Sequence, residues 1–190
     1  MSGGRRQQQQ QGVASDARMN SRADEQTSVD EQSSVERRTG AWGWLFPATY
    51  AIHLLEELWG GEGFTAWLAR AWSVELAPRP FLIWNAVALL LMAAGVALTP
   101  RYKNLRWLPL AYGVAFLLNA LSHLAASLYT VSYSPGLVSS LLLWLPLGAH
   151  ALLRYRKTLG RRSRRAGLLV GLLMHCVVLA LTAFGERFNF

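Results

Sequence analysis

After residue 40 the chain is dominated by apolar runs, at about Ala41–Trp59, Phe81–Leu98, Leu105–Tyr129, Leu137–Arg154 and Ala166–Gly185. Such runs leave few folds open. At a rise of ~1.5 Å per residue, each is long enough, or nearly so, to cross a hydrocarbon layer ~30 Å thick. Lipid offers no partner to a free amide or carbonyl, so these segments must close their own hydrogen bonds as helices. The expected fold is all-α: a polytopic transmembrane helical bundle of about five spans. Pro80, Pro100 and Pro135 sit at the edges of runs, where helices begin or end. Pro109 falls in the first turns of the third run, and Pro146 predicts a kink inside the fourth. Between the first two runs, Phe64–Leu76 mixes Phe64, Trp67, Leu68, Trp72 and Leu76 with Arg70 and Glu75. That mixture predicts a short amphipathic helix lying in the membrane interface.

Residues 1–40 have a different character. They include the run Gln7 to Gln11, many Ser and Arg, and no aromatic residue. Such a segment cannot bury enough apolar surface to offset its ordering entropy, so a disordered polar tail is expected there. No apolar stretch follows its charges, which argues against a signal peptide. Residues 41–190 form the expected transmembrane domain.

The chain carries a formal charge of +8 although only 16% of its residues are charged. In a soluble protein this would suggest nucleic acid as partner. Here the basic residues lie outside the apolar runs, so they read as topology signals and no nucleic-acid partner is expected. Arg37 and Arg38 precede the first run, and Arg101, Lys103 and Arg106 separate the second and third. Seven Arg or Lys residues between Arg154 and Arg165 separate the fourth and fifth, whereas the loop after the third run has no charge. The N-terminus and both basic loops are then expected in the cytoplasm, in the plasma membrane of a bacterium, with membrane lipids as partners. The lone cysteine, Cys176, excludes an intrachain disulfide and a cysteine-cluster metal site.

The chemistry sits on two polar stripes. His53 and Glu57 are four apart in the first run, with Glu56 beside them, and Asn119 and His123 are four apart in the third. Offsets of three and four share a helix face. A carboxylate in hydrocarbon costs several kcal/mol unless paired or neutralised, and these runs supply no Lys or Arg at that depth. A metal ion or a bound proton is the natural remedy. Counted from the cytoplasmic ends, His53 and Asn119 both come out about 18 Å up, and Glu57 and His123 both about 24 Å. Asn85 falls at about 21 Å, so six polar residues on three helices share one level in the outer half of the membrane. His150 and His175 do not join them and are expected to be ordinary packing or interface residues.

His53-Leu54-Leu55-Glu56-Glu57, Asn119-Ala120-Leu121-Ser122-His123 and Tyr133-Ser134-Pro135-Gly136 occur in that order. They resemble the HxxEE, NxxxH and YxPG motifs of the HXXEE family, integral membrane proteins of unknown function. The resemblance covers about Trp44 to Tyr155. It implies an integral membrane protein and no particular reaction.

The residues themselves point further. His-x-x-Glu with another ligand at i+4 is the layout of inverted zinc-hydrolase motifs, with Glu57 in place of the second histidine. Zinc accepts two His and one Glu and keeps a fourth position for water. His53, Glu57 and His123 are the expected metal ligands, and Zn2+ the expected cofactor. Glu56 is then free as general base, with Asn119 and Asn85 to orient ligands or stabilise an oxyanion. Tyr133, Pro135 and Gly136 are expected to line the substrate entrance. The expectation is an intramembrane metal-dependent hydrolase acting on a lipid or lipid-linked substrate. Two alternatives stay open: a proton- or cation-coupled carrier, and a structural or binding protein whose polar residues pair across helices.

Overall fold

The computed structural model describes residues 41–185, so the tail expected over residues 1–40 lies outside the described residues. The helical bundle lies in the unit that begins at Gly43. Its helices are α1 (Leu45–Trp59), α2 (Phe64–Trp72), α3 (Pro78–Leu98), α4 (Leu108–Thr130), α5 (Leu137–Thr158) and α6 (Arg161–Ala183). No strand occurs among the described residues.

Four of these, α3 to α6, are long and apolar enough to cross a membrane. The expected first run is shorter than its apolar stretch. A 3-10 turn occupies Trp42–Trp44, and the left-handed glycines Gly61 and Gly63 stop the helix beyond Trp59. The 15 residues of α1 cover about 22 Å. The expected five spans are therefore four full-length helices with a shorter one packed along them.

The direction of α1 follows from its neighbours. Gly43 lies against Val96 near the end of α3, and the Tyr50 hydroxyl donates to Asn85 Oδ1 at 2.5 Å nearer its start. Phe46 packs at a tilt against Tyr112 and edge-on against Phe116, and the His53 and His123 rings come within 5.0 Å. So α1 is antiparallel to α3 and parallel to α4. Because the two helices run the same way, the equal depths expected of Glu57 and His123 put these side chains side by side, and the His53 ring, one turn below Glu57, still reaches that of His123.

Helix α4 is the centre of the bundle. In lipid no hydrophobic force drives helices together, so close backbone approach has to do the work. A β-carbon on Gly113 would stand 2.5 Å from that of Ala151. On α6, Gly167 and Gly171 form a small-xxx-small pair against Leu110, Ala111 and Val114. Where Pro146 predicts a kink, α5 instead widens into a π turn at Ser140–Trp144. Pro146 has no amide to offer the ladder, and the wider turn precedes it by one residue. The turn presents Ser139, Ser140 and Trp144 together to α1, within contact of His53.

Helix α2 is shorter than the expected interfacial segment, ending at Ser73 in a left-handed conformation. Its buried Trp67 and Leu68 pack with Leu76 and Phe81. On its outer side Arg70 pairs with Glu62, whose carboxyl that hydrogen bond holds below its ordinary range.

Candidate metal centre

His53 and Glu57 lie one turn apart on the inward face of α1, so their side chains meet over the same groove. They are 2% and 7% exposed, and His123 from α4 is 6% exposed. Glu57 Oε1 lies 3.4 Å from His53 Nε2 and 3.5 Å from His123 Nε2. Each of the three residues has a ligand atom within 4.8 Å of the others.

These separations discriminate between two uses of the same residues. A charge-assisted imidazole–carboxylate hydrogen bond is about 2.8 Å long. Ligands held at about 2.1 Å in a tetrahedron stand about 3.4 Å apart. The two gaps to Glu57 are close to the second geometry, and all three ligand atoms lie within 4.8 Å of one another. His53 Nε2 is also buried without a hydrogen-bond partner, a cost that a cation at the centre would remove.

The far sides of both rings are held. His53 Nδ1 bonds to Ser139 Oγ at 2.9 Å and His123 Nδ1 to Ser134 Oγ at 3.1 Å. The Ser139 hydroxyl also reaches the Gly136 carbonyl at 3.4 Å. A proton donated there leaves its oxygen to accept from the His53 Nδ1–H, the tautomer that puts a lone pair on Nε2, facing Glu57. An outer partner of this kind orients a metal-binding histidine and raises its basicity. Ser134→Ala is expected to weaken zinc binding by about 10–100-fold while leaving the ligands intact, as competition with a fluorescent chelator would measure.

Adjacent residues on a helix diverge by ~100°, and Glu56 accordingly takes a different seat from Glu57. Its carboxylate accepts from the Tyr133 hydroxyl at 2.6 Å and from the Val138 and Ser139 amides at 2.8 and 2.6 Å. Those amides belong to the first turn of α5, where a negative charge is favoured. Burial and the Glu56 carboxylate push the Tyr133 phenol up to about 12, so it remains a donor at neutral pH. Glu56 lines a separate shallow groove with Ile52, Tyr133 and Leu142, not the cavity that Glu57 faces. The structure therefore does not bring Glu56, expected as a general base, to the three ligands. All of its described contacts latch the loop before α5 onto α1.

That loop is also not the open entrance expected of it. Tyr133 alone of the three expected residues is exposed. Ser134 and Pro135 are fully buried, and Gly136 turns with φ 95° directly over the ligands. Asn119 and Asn85 stand farther off. Both line the cavity beside the centre, but Asn85 is engaged by Tyr50 and by the Phe81 carbonyl.

Seen together, the three motifs converge on one place. A family model for proteins of unknown function with an HXXEE motif matches residues 44–151. This chain belongs to the HXXEE family. No curated protein and no solved structure matches it. In this HXXEE protein the first motif supplies His53 and Glu57, the second His123, and the loop motif the serine, proline and glycine packed around them.

The ligand set faces a cavity of about 1000 Å³. Its wall is mostly apolar, from α2, α3, α4 and α6, with Asn119, Ser122 and His175 as polar interruptions. The sequence does not single out Ser134 and Ser139, and His175, expected as an ordinary packing or interface residue, is buried on the cavity wall. The serines flank motif residues, and Ser122 lies on the stripe that carries His123. His175 had no such signal, and it lies beyond the region the family model matches.

Proposed function

We propose that this HXXEE protein is an intramembrane hydrolase that holds a divalent metal, zinc by its ligand chemistry, on His53, Glu57 and His123. The observation that carries the reading is the convergence of Nε2, Oε1 and Nε2 within 4.8 Å, with gaps to the carboxylate longer than a strong charge-assisted hydrogen bond. Three protein ligands leave one position for water, the arrangement of catalytic rather than structural zinc. When bound, zinc lowers the pKa of that water to about 7 and polarises a carbonyl or phosphoryl oxygen. Asn119, on the cavity wall one turn from His123, is placed to steady the developing oxyanion. Glu56 acts as a positioning residue through Tyr133 and α5, not as the base.

The substrate class follows from the cavity. Helices α3 and α6 both line it, yet α6 packs on α4 while α3 leans chiefly on α1. The two barely touch each other, so the cavity opens sideways toward the hydrocarbon that surrounds them. An amphiphile can enter there with its chain against Leu91, Met92 and Val178 and its polar linkage at the metal. A lipid or lipid-linked ester is the fitting substrate. The test uses chromogenic acyl esters with the purified protein. Turnover should rise with acyl length and be abolished by chelation, returning on addition of Zn2+. Turnover indifferent to chelator, or none with any chain length, would remove the hydrolase reading.

The orientation is part of the same proposal. The start of α1 lies level with the end of α3, the same end as the Arg101–Arg106 loop. The positive-inside rule places that end, and the Arg154–Arg165 loop, in the cytoplasm. Thr158→Cys in a Cys176→Ser background should resist an impermeant thiol reagent in intact cells and react after lysis. Reaction in intact cells would invert the topology.

A further inference from the structure

A second pair of reactive groups stands in the same cavity. His175 on α6 is 7% exposed, and its Nε2 lies 3.1 Å from Ser122 Oγ on α4. Its Nδ1 is buried without a partner. Both residues line the cavity, and Ser122 is the immediate neighbour of the ligand His123.

The hydroxyl of Ser122, like those of Ser134 and Ser139, rests on an imidazole. A hydroxyl inside a helix ordinarily bonds back to the carbonyl four residues earlier. Thr49, Thr99, Thr130 and Thr158 all do so. Ser122 makes its hydrogen bond to an imidazole instead, as Ser139 on α5 does, but unlike Ser139 it lines the large cavity. A serine within hydrogen-bond reach of a neutral imidazole, on the wall of a substrate-sized cavity, is the arrangement of an activated nucleophile. Such pairs are recognised by geometry and role, not by chain position. The ring lacks the carboxylate that orients a triad histidine, and burial holds it in place.

We infer that Ser122 and His175 are a nucleophile and its base, accepting the acyl group of an ester lipid. The inference rests on the reading of the cavity as a lipid site, and it adds a covalent step. The Ser122 oxygen bonds to the ester carbonyl carbon, and its proton passes to His175 Nε2. The bond to the leaving alcohol breaks, and that alcohol takes the proton from His175. Water then attacks the acyl-serine ester, giving its proton to His175, which returns it to the serine oxygen as the carboxylic acid departs.

A fluorophosphonate probe tests this without a known substrate. Attack by Ser122 forms an oxygen–phosphorus bond, expels fluoride and leaves a stable adduct. The full chain in detergent should gain one adduct, mapped to Ser122 by peptide mass spectrometry. Ser122→Ala should gain none, and His175→Gln should react roughly 100-fold or more slowly. Zinc content and thermal midpoint are read on the same preparations, so a misfolded variant is recognised. If Ser122→Ala is unstable, the wild-type adduct map decides alone. Wild-type protein that binds zinc but takes no phosphonate at Ser122, or His175→Gln labelled at the wild-type rate, overturns this inference and leaves the metal reading standing. Labelling at Ser122 in protein that binds no metal would do the reverse.

Discussion

Purified without chelator, the wild-type chain is expected to carry about one zinc per polypeptide, and Glu57→Gln almost none. The substitution preserves shape and removes the one negative charge among the three ligands. An amide is a poor zinc ligand, and a divalent cation facing two neutral imidazoles in a low-dielectric bundle would be left uncompensated. The loss should exceed the roughly 100-fold that outer partners of a metal ligand contribute. Glu56→Gln is the control one residue away. Its side chain touches no ligand atom, and its role at the start of α5 is worth ~0.3–2 kcal/mol of charge–dipole interaction. It should keep its zinc and lose a few degrees of thermal midpoint. Metal analysis of the two variants beside wild type and His123→Ala separates the readings. Equal zinc in Glu57→Gln and wild type, or none in wild type, would leave the proton-relay and structural alternatives.

The sequence makes this contrast legible in advance because helical geometry is local. An i to i+4 spacing puts His53 and Glu57 on one face and turns Glu56 aside whatever surrounds them. Depth arithmetic works for the same reason: α1 and α4 rise together, so the counts that put Glu57 and His123 at one depth correspond to side chains that meet. What the pattern does not carry is where a loop goes. Nothing in Tyr133-Ser134-Pro135-Gly136 shows that the segment folds back between α1 and α4, or that Glu56 would meet two backbone amides there. Those amides have no side chain to leave a trace in sequence. His175 was hidden differently. Its pairing with Ser122 depends on how α6 slides along α4, which Gly167 and Gly171 set through backbone approach. The length of α1 was overread because hydropathy continues to Trp42 where helical geometry stops.

Gly136→Ala is expected to abolish metal binding without unfolding the bundle. Two separate physical demands meet at this glycine. Its φ of 95° is a conformation that costs a side-chain-bearing residue ~1–3 kcal/mol. A β-carbon there would also stand 2.7 Å from His53 Cε1, 2.8 Å from His123 Cε1 and 3.1 Å from Glu57 Cγ. All three contacts are to the proposed ligands, which are buried, and both histidines are tied on their far sides, to Ser139 and Ser134. They cannot yield without leaving the shared centre. A methyl group there therefore enters the space the cation needs. Gly61→Ala supplies the comparison. Gly61 also has a positive φ, of 60°, but its added carbon would meet only Tyr133, at an ordinary 3.4 Å. It should show the backbone cost as a lower thermal midpoint and retain zinc, whereas Gly136→Ala should show a comparable or larger shift and retain none. The measurement is zinc content against thermal midpoint for both variants. If Gly136→Ala binds zinc like wild type, the glycine is needed only for the turn, and the three ligands do not meet beneath it.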